Sequence, residues 1–257
     1  MSLDNFPSKT AILTGASEGI GLATARLLVS AGWNVGLLSR NEAKMAAALE
    51  GFASEEKERV LGVLGDVTLP DVRQRFVSES VARFGRIDAL VNNAGGGSQN
   101  RFIEDVDDAD LDAVVTLNLT SAFAMCRQVV PRMKAQKFGR IVNVASVAGR
   151  DSSRLSGPHY AAAKAGMVGL TRQLSRDLGP AGITVNTVAP GITHTDRIMA
   201  KWDDRSPEDQ RKMREAIPVG RIGTPLEVAR AIHYFLGEDS GYTTGACLDV
   251  NGGSFCA

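Results

Sequence analysis

The sequence lacks an excess of charge of either sign, because among its 257 residues 29 lysines and arginines balance 29 aspartates and glutamates. Proteins that bind the phosphate backbone of nucleic acids usually carry an excess of basic residues, so a nucleic-acid partner is not expected. No uninterrupted apolar run approaches the ~18 residues of a transmembrane helix. The segment from Met1 to Thr10 is too polar for the apolar region of a signal peptide. The sequence therefore predicts neither a membrane span nor a signal peptide.

Cysteine and histidine are also scarce. The three cysteines, Cys126, Cys247 and Cys256, are odd in number and far apart, which argues against a disulfide framework and favours a reducing, cytoplasmic compartment. The three histidines do not stand at metal-ligand spacing, so no metal site is expected. What is present is the composition of an ordinary globular protein, with 44% hydrophobic and 23% charged residues.

Short apolar runs alternate with amphipathic stretches along the chain. The predicted strands are Lys9–Thr14, Trp33–Ser39, Arg59–Gly65, Ile87–Asn92, Arg140–Ala145, Ile183–Ala189 and Ala246–Val250. The predicted helices are Gly19–Ala31, Glu42–Phe52, Thr68–Phe84, Asp108–Lys137 with a break near Leu119 or Thr120, Pro158–Leu178, and one from Pro225 to near Gly237. The last opens on Thr224-Pro225-Leu226-Glu227, a capping box with proline at the first helical position.

Strands that are apolar on both faces and alternate with helices predict a parallel sheet covered on both sides. We therefore expect one α/β domain over residues 1–257, a doubly wound Rossmann-type fold with about seven strands. The stretch 191–217 breaks the rhythm, because it is long, charged and poor in strand signal. Insertions of that size are often lids, and we expect a substrate lid here.

Between the first predicted strand and helix, the segment Thr14 to Gly21 contains three glycines in the spacing G-x3-G-x-G. Glycine permits a tight turn and lets backbone N–H groups approach an anion at a helix N-terminus. The spacing differs from the usual dinucleotide fingerprint G-x-G-x-x-G, and a plain turn is the alternative. Its place between a strand and a helix favours a phosphate-binding loop.

The end of the second predicted strand, Ser39-Arg40, lacks the acidic residue that would bind a ribose 2′-hydroxyl. A guanidinium can bind a 2′-phosphate bidentately, so Arg40 favours NADP(H) over NAD(H). Glu18 argues the other way, because it places an acid in the glycine loop close to that phosphate, and NAD stays possible. For Arg40 the alternative is a solvated surface charge.

Tyr160 and Lys164 stand four residues apart on one predicted helix, so their side chains share a face. The pKa of a free tyrosine is about 10 and must fall to let the phenol act as a base near neutrality; a neighbouring ammonium favours the phenolate. Ser146 ends the fifth strand, and the carboxyl ends of strands are where open α/β sheets bind ligands. This constellation predicts proton-transfer chemistry.

Together these motifs resemble the short-chain dehydrogenase/reductase family over nearly the whole chain, nearest to its 3-oxoacyl-[acyl-carrier-protein] reductase-like members. The matching positions are Thr14 to Gly21, Asp66-Val67, Asn92-Asn93-Ala94-Gly95, Asn118, Ser146, Tyr160 with Lys164, Pro190-Gly191 and Leu248 to Gly253. The resemblance implies an oxidoreductase that transfers a hydride between NADP(H) and a carbonyl or secondary alcohol, of the 3-oxoacyl-thioester reductase kind. It also implies a homotetramer that uses the helix from Pro158, whose small residues Ala162, Ala165, Gly166 and Gly169 could instead pack on its own sheet.

The resemblance implies that Tyr160 exchanges a proton with the substrate oxygen, that Ser146 hydrogen-bonds the same oxygen, and that Lys164 lowers the Tyr160 pKa and holds the nicotinamide ribose. Asn118 would hold a water that links Lys164 to solvent. The cofactor residues expected from the motifs are Gly15, Ser17, Glu18, Gly19, Ile20, Gly21, Ser39, Arg40, Asp66, Val67, Asn92, Ala94, Gly95, Tyr160, Lys164, Pro190, Gly191, Ile192, Thr193 and Thr195.

The substrate is not specified by the sequence. The expected substrate residues are Ser146, Tyr160, Gly96 and His159, the last of which could instead cap its helix. Pocket shape is expected to depend on residues 96–101, 150–159 and 191–217. Three alternatives remain: an NAD-dependent dehydrogenase of a small polyol, sugar or hydroxy acid; a non-catalytic dinucleotide-binding sensor; and a sugar-nucleotide epimerase, for which the region after Ile217 leaves little room.

Overall fold

The computed structural model describes residues 8–96, 101–152 and 156–256. Its strands are β1 (Thr10–Thr14), β2 (Asn34–Ser39), β3 (Val60–Leu64), β4 (Ala89–Asn92), β5 (Gly139–Val144), β6 (Ile183–Pro190) and β7 (Cys247–Val250). Its α-helices are α1 (Gly19–Ser30), α2 (Glu42–Glu50), α3 (Pro70–Phe84), α4 (Asp108–Val115), α5 (Ser121–Gln136), α6 (Pro158–Leu178), α7 (Asp196–Asp203), α8 (Pro207–Glu215) and α9 (Pro225–Leu236). The predicted α/β class with about seven strands is confirmed.

All seven strands pair in parallel in the order β3-β2-β1-β4-β5-β6-β7. The chain builds outward from β1 to β3 and then returns to the other side of β1 as β4. The strand order therefore reverses between β1 and β4, where Leu13 lies beside Val91. In open α/β sheets the crevice at the carboxyl ends of the strands at this point binds ligands.

Side chains along each strand alternate between two cores. In β1, Ala11 and Leu13 face the core shared with α1, α2 and α9, whereas Ile12 faces the core shared with α3 and α5. All three are fully buried. Burial on both faces explains why the strands are continuously apolar in sequence rather than alternating.

The long fourth helical stretch contains a π-helical turn, Thr116–Thr120, between α4 and α5. It lies where the sequence predicts a break, and the chain stays helical through it. Such π-turns are rare and are frequent at functional sites. This one carries Asn118, which is fully buried.

The helical stretch Asp108–Gln136 is long and apolar enough, by length and composition alone, to cross a membrane. Its apolar residues are interrupted by polar ones, so it contains no uninterrupted apolar run of that length. Its most apolar window has a mean hydropathy of 1.3, and 44% of that window is buried inside the protein. Met125, Val129 and Met133 on this stretch pack against the sheet. Core packing accounts for the apolar character of the helix.

The predicted lid region contains α7 and α8. Thr195 caps α7 by accepting a hydrogen bond from the Ile198 N–H, and Ser206 caps α8 through the Asp209 N–H at 3.1 Å. Trp202 of α7 is buried, with 5% of its surface exposed. The predicted capping box is confirmed at the start of α9.

Candidate active site

The glycine loop is shaped by contacts that leave no room for side chains. Gly15 and Gly19 have positive φ angles of 63° and 55°, which favour glycine. A Cβ on Gly21 would lie 2.4 Å from the carbonyl oxygen of Gly15. The loop therefore folds tightly onto the start of α1. The side chain of Glu18, the N-cap residue of that helix, makes no capping hydrogen bond, so the first N–H groups of the helix are available to an anion.

Asn93 holds this loop from the neighbouring strand end. Its Nδ2 donates to the carbonyl oxygens of Thr14 at 3.1 Å and Gly15 at 2.7 Å. Asn92, the expected cofactor residue, points the other way: its Nδ2 donates to Asn143 Oδ1 at 2.8 Å, and the residue is 2% exposed. Successive strand residues face opposite sides, so Asn93 reaches the crevice and Asn92 does not.

A groove of about 350 Å³, named here the glycine-loop groove, runs along the loop and the ends of β2 and β3. It brings together most of the cofactor residues predicted from sequence. Its lining residues are Gly15, Ser17, Glu18, Gly19, Ile20, Leu38, Ser39, Arg40, Asn41, Lys44, Gly65, Asp66, Val67, Asn93, Ala94, Gly95, Leu117, Thr195 and Arg197.

Charges at the far end of this groove are arranged around Arg40. Its side chain is 74% exposed, and its guanidinium lies 3.9 Å from Asp66. Burial raises the pKa of Asp66, but hydrogen bonds from Thr68 and the charge of Arg40 hold it below its usual range. Glu18 pairs with Lys44 at 2.6 Å. The acid that argued against a 2′-phosphate is therefore neutralised by a lysine that sequence reasoning missed.

A second cavity of about 190 Å³, the tyrosine cavity, adjoins the groove. Its lining residues are Ile20, Asn93, Gly95, Val144, Ala145, Ser146, Val147, Ser156, Tyr160, Lys164, Pro190, Gly191, Ile192, Thr193, Thr195, Arg197, Ile198, Trp202, Arg205 and Met213. Five of these, Ile20, Asn93, Gly95, Thr195 and Arg197, also line the groove. The two spaces are therefore continuous.

Ser146, Tyr160 and Lys164 meet in the tyrosine cavity. Ser146 follows β5, and its Oγ accepts a hydrogen bond from the Ala148 N–H at 3.1 Å. Ser146 and Tyr160 are hydrogen-bonded through their side chains. Lys164 is 3% exposed, and its Nζ donates to the Val144 carbonyl oxygen at 2.8 Å and lies 5.7 Å from the centre of the Tyr160 ring.

The electrostatics of this trio differ from the sequence expectation. Burial raises the pKa of Tyr160, and the charge of Arg197 and the hydrogen bond with Ser146 oppose that rise. Burial, and then the charge of Arg197, lowers the pKa of Lys164 to about 7. The cation whose charge lowers the pKa of Tyr160 is thus Arg197 of α7, and the same effect of Lys164 stays a prediction.

Asn118 supports the wall between these residues and the groove. Its Nδ2 donates to the carbonyl oxygens of Val114 at 2.9 Å and Gly96 at 3.0 Å, and its Oδ1 accepts from the Gly96 N–H at 3.1 Å. A Cβ on Gly95 would lie 2.7 Å from Asn118 Oδ1 and 3.1 Å from Lys164 Nζ. Gly95 therefore lets the asparagine and the lysine approach each other.

Gly96 and His159, which the sequence predicts to contact substrate but not cofactor, do not line the tyrosine cavity. Gly96 is held by Asn118 and does not line the described tyrosine cavity. His159 is 3% exposed and lies outside that lining. Its role, as a substrate residue or as a helix cap, stays a prediction. Residues 97–100 and 153–155 of the predicted pocket segments lie outside the described part of the chain.

Three functional candidates carry no motif: Lys44, Arg197 and Arg205. Arg197 is the second residue of α7, and its Nη1 donates to the Gly95 carbonyl oxygen at 2.8 Å. From sequence, each of the three is indistinguishable from a solvated charge on a helix or turn. Only the fold of the lid and of α2 brings them to the crevice.

Comparisons with known proteins agree with this geometry. A family model described as short chain dehydrogenase matches residues 9–206. The monensin polyketide synthase ketoacyl reductase of Streptomyces virginiae is 40% identical over 255 residues, covering 96% of this chain and 97% of the relative. The 3-oxoacyl-[acyl-carrier-protein] reductase of Vibrio harveyi is 37% identical over 251 residues, covering 98% and 99%. A variant of the actinorhodin polyketide ketoreductase, solved with NADPH, superposes with a TM-score of 0.89 at 33% identity, covering 96% and 97%.

Proposed function

The chain belongs to the short-chain dehydrogenase family of NAD(P)-dependent oxidoreductases that act on CH–OH or carbonyl groups, and from this premise we propose that it is an NADP(H)-dependent carbonyl reductase of the 3-oxoacyl-thioester kind. One observation carries the proposal: the Ser146, Tyr160 and Lys164 side chains lie in a cavity continuous with the glycine-loop groove. The thioester class is supported by relatives named as ketoacyl and 3-oxoacyl reductases.

The groove fits a dinucleotide. A Cβ at position 21 would clash with the loop, so glycine there lets the loop fold tightly and its backbone approach a diphosphate closely. The start of α1 offers uncapped N–H groups to the same diphosphate. Gly15 to Gly19, Asp66 with Val67, and Thr193 with Thr195 would hold the cofactor along its length. When bound, NADPH supplies the hydride.

The chain's own residues supply the proton and fix the substrate oxygen. Tyr160 would donate its phenolic proton to the carbonyl oxygen during reduction, and Ser146 would donate a hydrogen bond to that oxygen as charge develops. Arg197 and a protonated Lys164 would stabilise the phenolate that remains. Because the pKa of Lys164 is about 7, this lysine can gain and lose a proton near neutral pH.

A panel of 3-oxoacyl thioesters, simple ketones, polyols and hydroxy acids, assayed with NADPH and NADH, tests the function. We expect reduction of a 3-oxoacyl thioester with NADPH to be the fastest reaction. Faster oxidation of a polyol or hydroxy acid with NAD would support the alternative dehydrogenase. Tight cofactor binding with no turnover of any compound would support the sensor.

Replacing Arg40 by alanine tests the cofactor. We expect NADPH affinity to fall on the order of 10- to 100-fold, since a charge-assisted hydrogen bond contributes about 1.5–3 kcal/mol, with NADH affinity nearly unchanged. Titration of both nucleotides measures it. Arg59→Ala, at an exposed arginine outside the groove, is the matched control. Equal losses for the two nucleotides would remove Arg40 as the 2′-phosphate residue.

We also propose a homotetramer in the cytoplasm. Ala162, Ala165 and Gly169 on α6 are exposed in the single chain, and α5 exposes Phe123 by 51%. These three small residues therefore do not pack on the sheet of their own chain. An exposed surface of small and apolar residues allows the helix of another chain to pack closely against it. The three cysteines are free thiols, which supports a reducing compartment.

Light scattering tests the assembly. We expect a mass about four times the 27.3 kDa of one chain, and dissociation in Ala165→Glu, because a carboxylate buried in a helix contact is unpaired. A wild-type mass near that of a single chain would contradict the tetramer.

A further inference from the structure

The charged residues that line the tyrosine cavity all have the same sign. Lys164, Arg197 and Arg205 line it, and no aspartate or glutamate does so among the described residues. The chain as a whole has no net charge. The positive lining is therefore a local feature of the cavity.

Neither arginine has a carboxylate partner among the residues that the structure describes. None of the ion pairs among the described residues involves Arg197 or Arg205. Other lid arginines are occupied: Arg211 pairs with Glu208 and Glu215, and Arg214 stacks over Trp202 at 5.6 Å. A guanidinium that lines a cavity without a carboxylate partner is suited to an anionic ligand.

Arg205 is held in place by the lid. It lies in the turn between α7 and α8, where its N–H donates to the Trp202 carbonyl oxygen at 3.1 Å. Gln210 Nε2 donates to the carbonyl oxygens of both Trp202, at 3.0 Å, and Arg205, at 3.3 Å. The backbone of this turn is thus fixed by α8.

Arg197 and Arg205 differ in which of the two cavities they line. Arg197 lines both the glycine-loop groove and the tyrosine cavity, whereas Arg205 lines the tyrosine cavity alone. The cavity wall beside Arg205 is apolar and includes Ile198, Trp202 and Met213. Arg205 therefore faces substrate rather than cofactor, beside a wall that suits a hydrocarbon segment.

We propose that the substrate carries, besides its carbonyl, an anionic group, a carboxylate or phosphate, which Arg205 binds while the hydrocarbon between them lies against the apolar wall. This rests on the proposed function and names its substrate class as anionic oxo compounds. Bidentate pairing with a carboxylate or phosphate suits the planar guanidinium.

The experiment uses oxo acids of increasing chain length, each beside its methyl ester and the phosphate monoester of the matching oxo alcohol. For the wild type we expect kcat/KM for the best anion to exceed that for its ester on the order of 10- to 100-fold. Arg205→Met should remove this preference by lowering kcat/KM for the anion to the value for the ester. Arg214→Met, on the same lid but outside the cavity lining, should keep it.

Calorimetric binding of the same compounds to the protein saturated with NADP provides a readout independent of turnover. The anion should bind the wild type more tightly than its ester, and Arg205→Met should bind both equally, with NADPH affinity unchanged. Equal binding of anion and ester by the wild type, or a parallel loss of NADPH affinity in Arg205→Met, overturns the inference. Absence of turnover for every compound and for a 3-oxoacyl thioester, with the binding preference intact, instead contradicts the proposed function. Whether the carboxylate or the phosphate binds more tightly identifies the anion.

Discussion

Tyr160→Phe is expected to lower kcat on the order of 100- to 10,000-fold, the usual contribution of a positioned acid or base, while NADPH affinity stays close to that of the wild type. The change removes only the hydroxyl that meets Ser146 in the tyrosine cavity, and Tyr160 does not line the glycine-loop groove. Single-turnover reduction and nucleotide titration measure the two quantities.

The matched control is Tyr242→Phe, since Tyr242 is exposed and lies outside both cavities. It should retain wild-type kcat and nucleotide affinity. A Tyr160→Phe protein that keeps most of its kcat would show that another group moves the proton. A protein that loses NADPH affinity as well would show that the substitution disturbed the groove.

Lys164→Met is expected to change the pH dependence of stability. The pKa of Lys164 is about 7 in the folded protein, against an ordinary value of 10.5. Between these values the folded chain has lost the proton that the unfolded chain still binds, so the unfolding free energy of the wild type rises with pH. The contribution is at most about 1.4 kcal/mol per pH unit. Because methionine does not titrate, the unfolding free energy of the variant should lack this pH-dependent contribution.

Denaturant unfolding of both proteins across this window measures the difference. The variant should be the more stable near pH 7, and its advantage should shrink as the pH approaches 10.5. Burial raises the pKa of Cys126 to about 12, which lowers stability above the ordinary thiol value, but that contribution is common to both proteins and cancels. Lys134→Met, at an exposed lysine, should follow the wild type. Parallel curves for Lys164→Met and the wild type would contradict a buried lysine of lowered pKa.

The buried lysine also indicates how the protein balances stability and chemistry. An ammonium at 3% exposure has lost its hydration. Among the described residues, its hydrogen-bond acceptors are the Val144 carbonyl oxygen and, weakly, the Met167 sulfur. Desolvation of a charge costs free energy unless it is paired. Catalytic sites commonly carry such destabilising groups. Replacing Lys164 by methionine removes the desolvated charge, so the variant is expected to be more stable near pH 7.

Local sequence determined much of this protein. Apolar runs predict the strands because both faces of a parallel sheet are buried, and Thr224 with Glu227 predicts the start of α9 because a capping box is a local hydrogen-bond pattern. The glycine loop is likewise local, since the clash at Gly21 involves Gly15 and Ala16 close by in the chain as well as Asn93. Apart from the contact with Asn93, the capping box and the glycine loop depend on residues that are close together in the chain.

Only the tertiary structure decided which charges face the site. Whether Asn92 or Asn93 enters the crevice depends on the strand register, which a one-residue shift would invert. Arg197 and Arg205 reach the tyrosine cavity only because the fold brings the segment from α7 to α8 beside the ends of β5 and β6. The pKa of Lys164 depends on burial by elements distant in sequence. Desolvation and charge act through space, so spacing along the chain does not determine them.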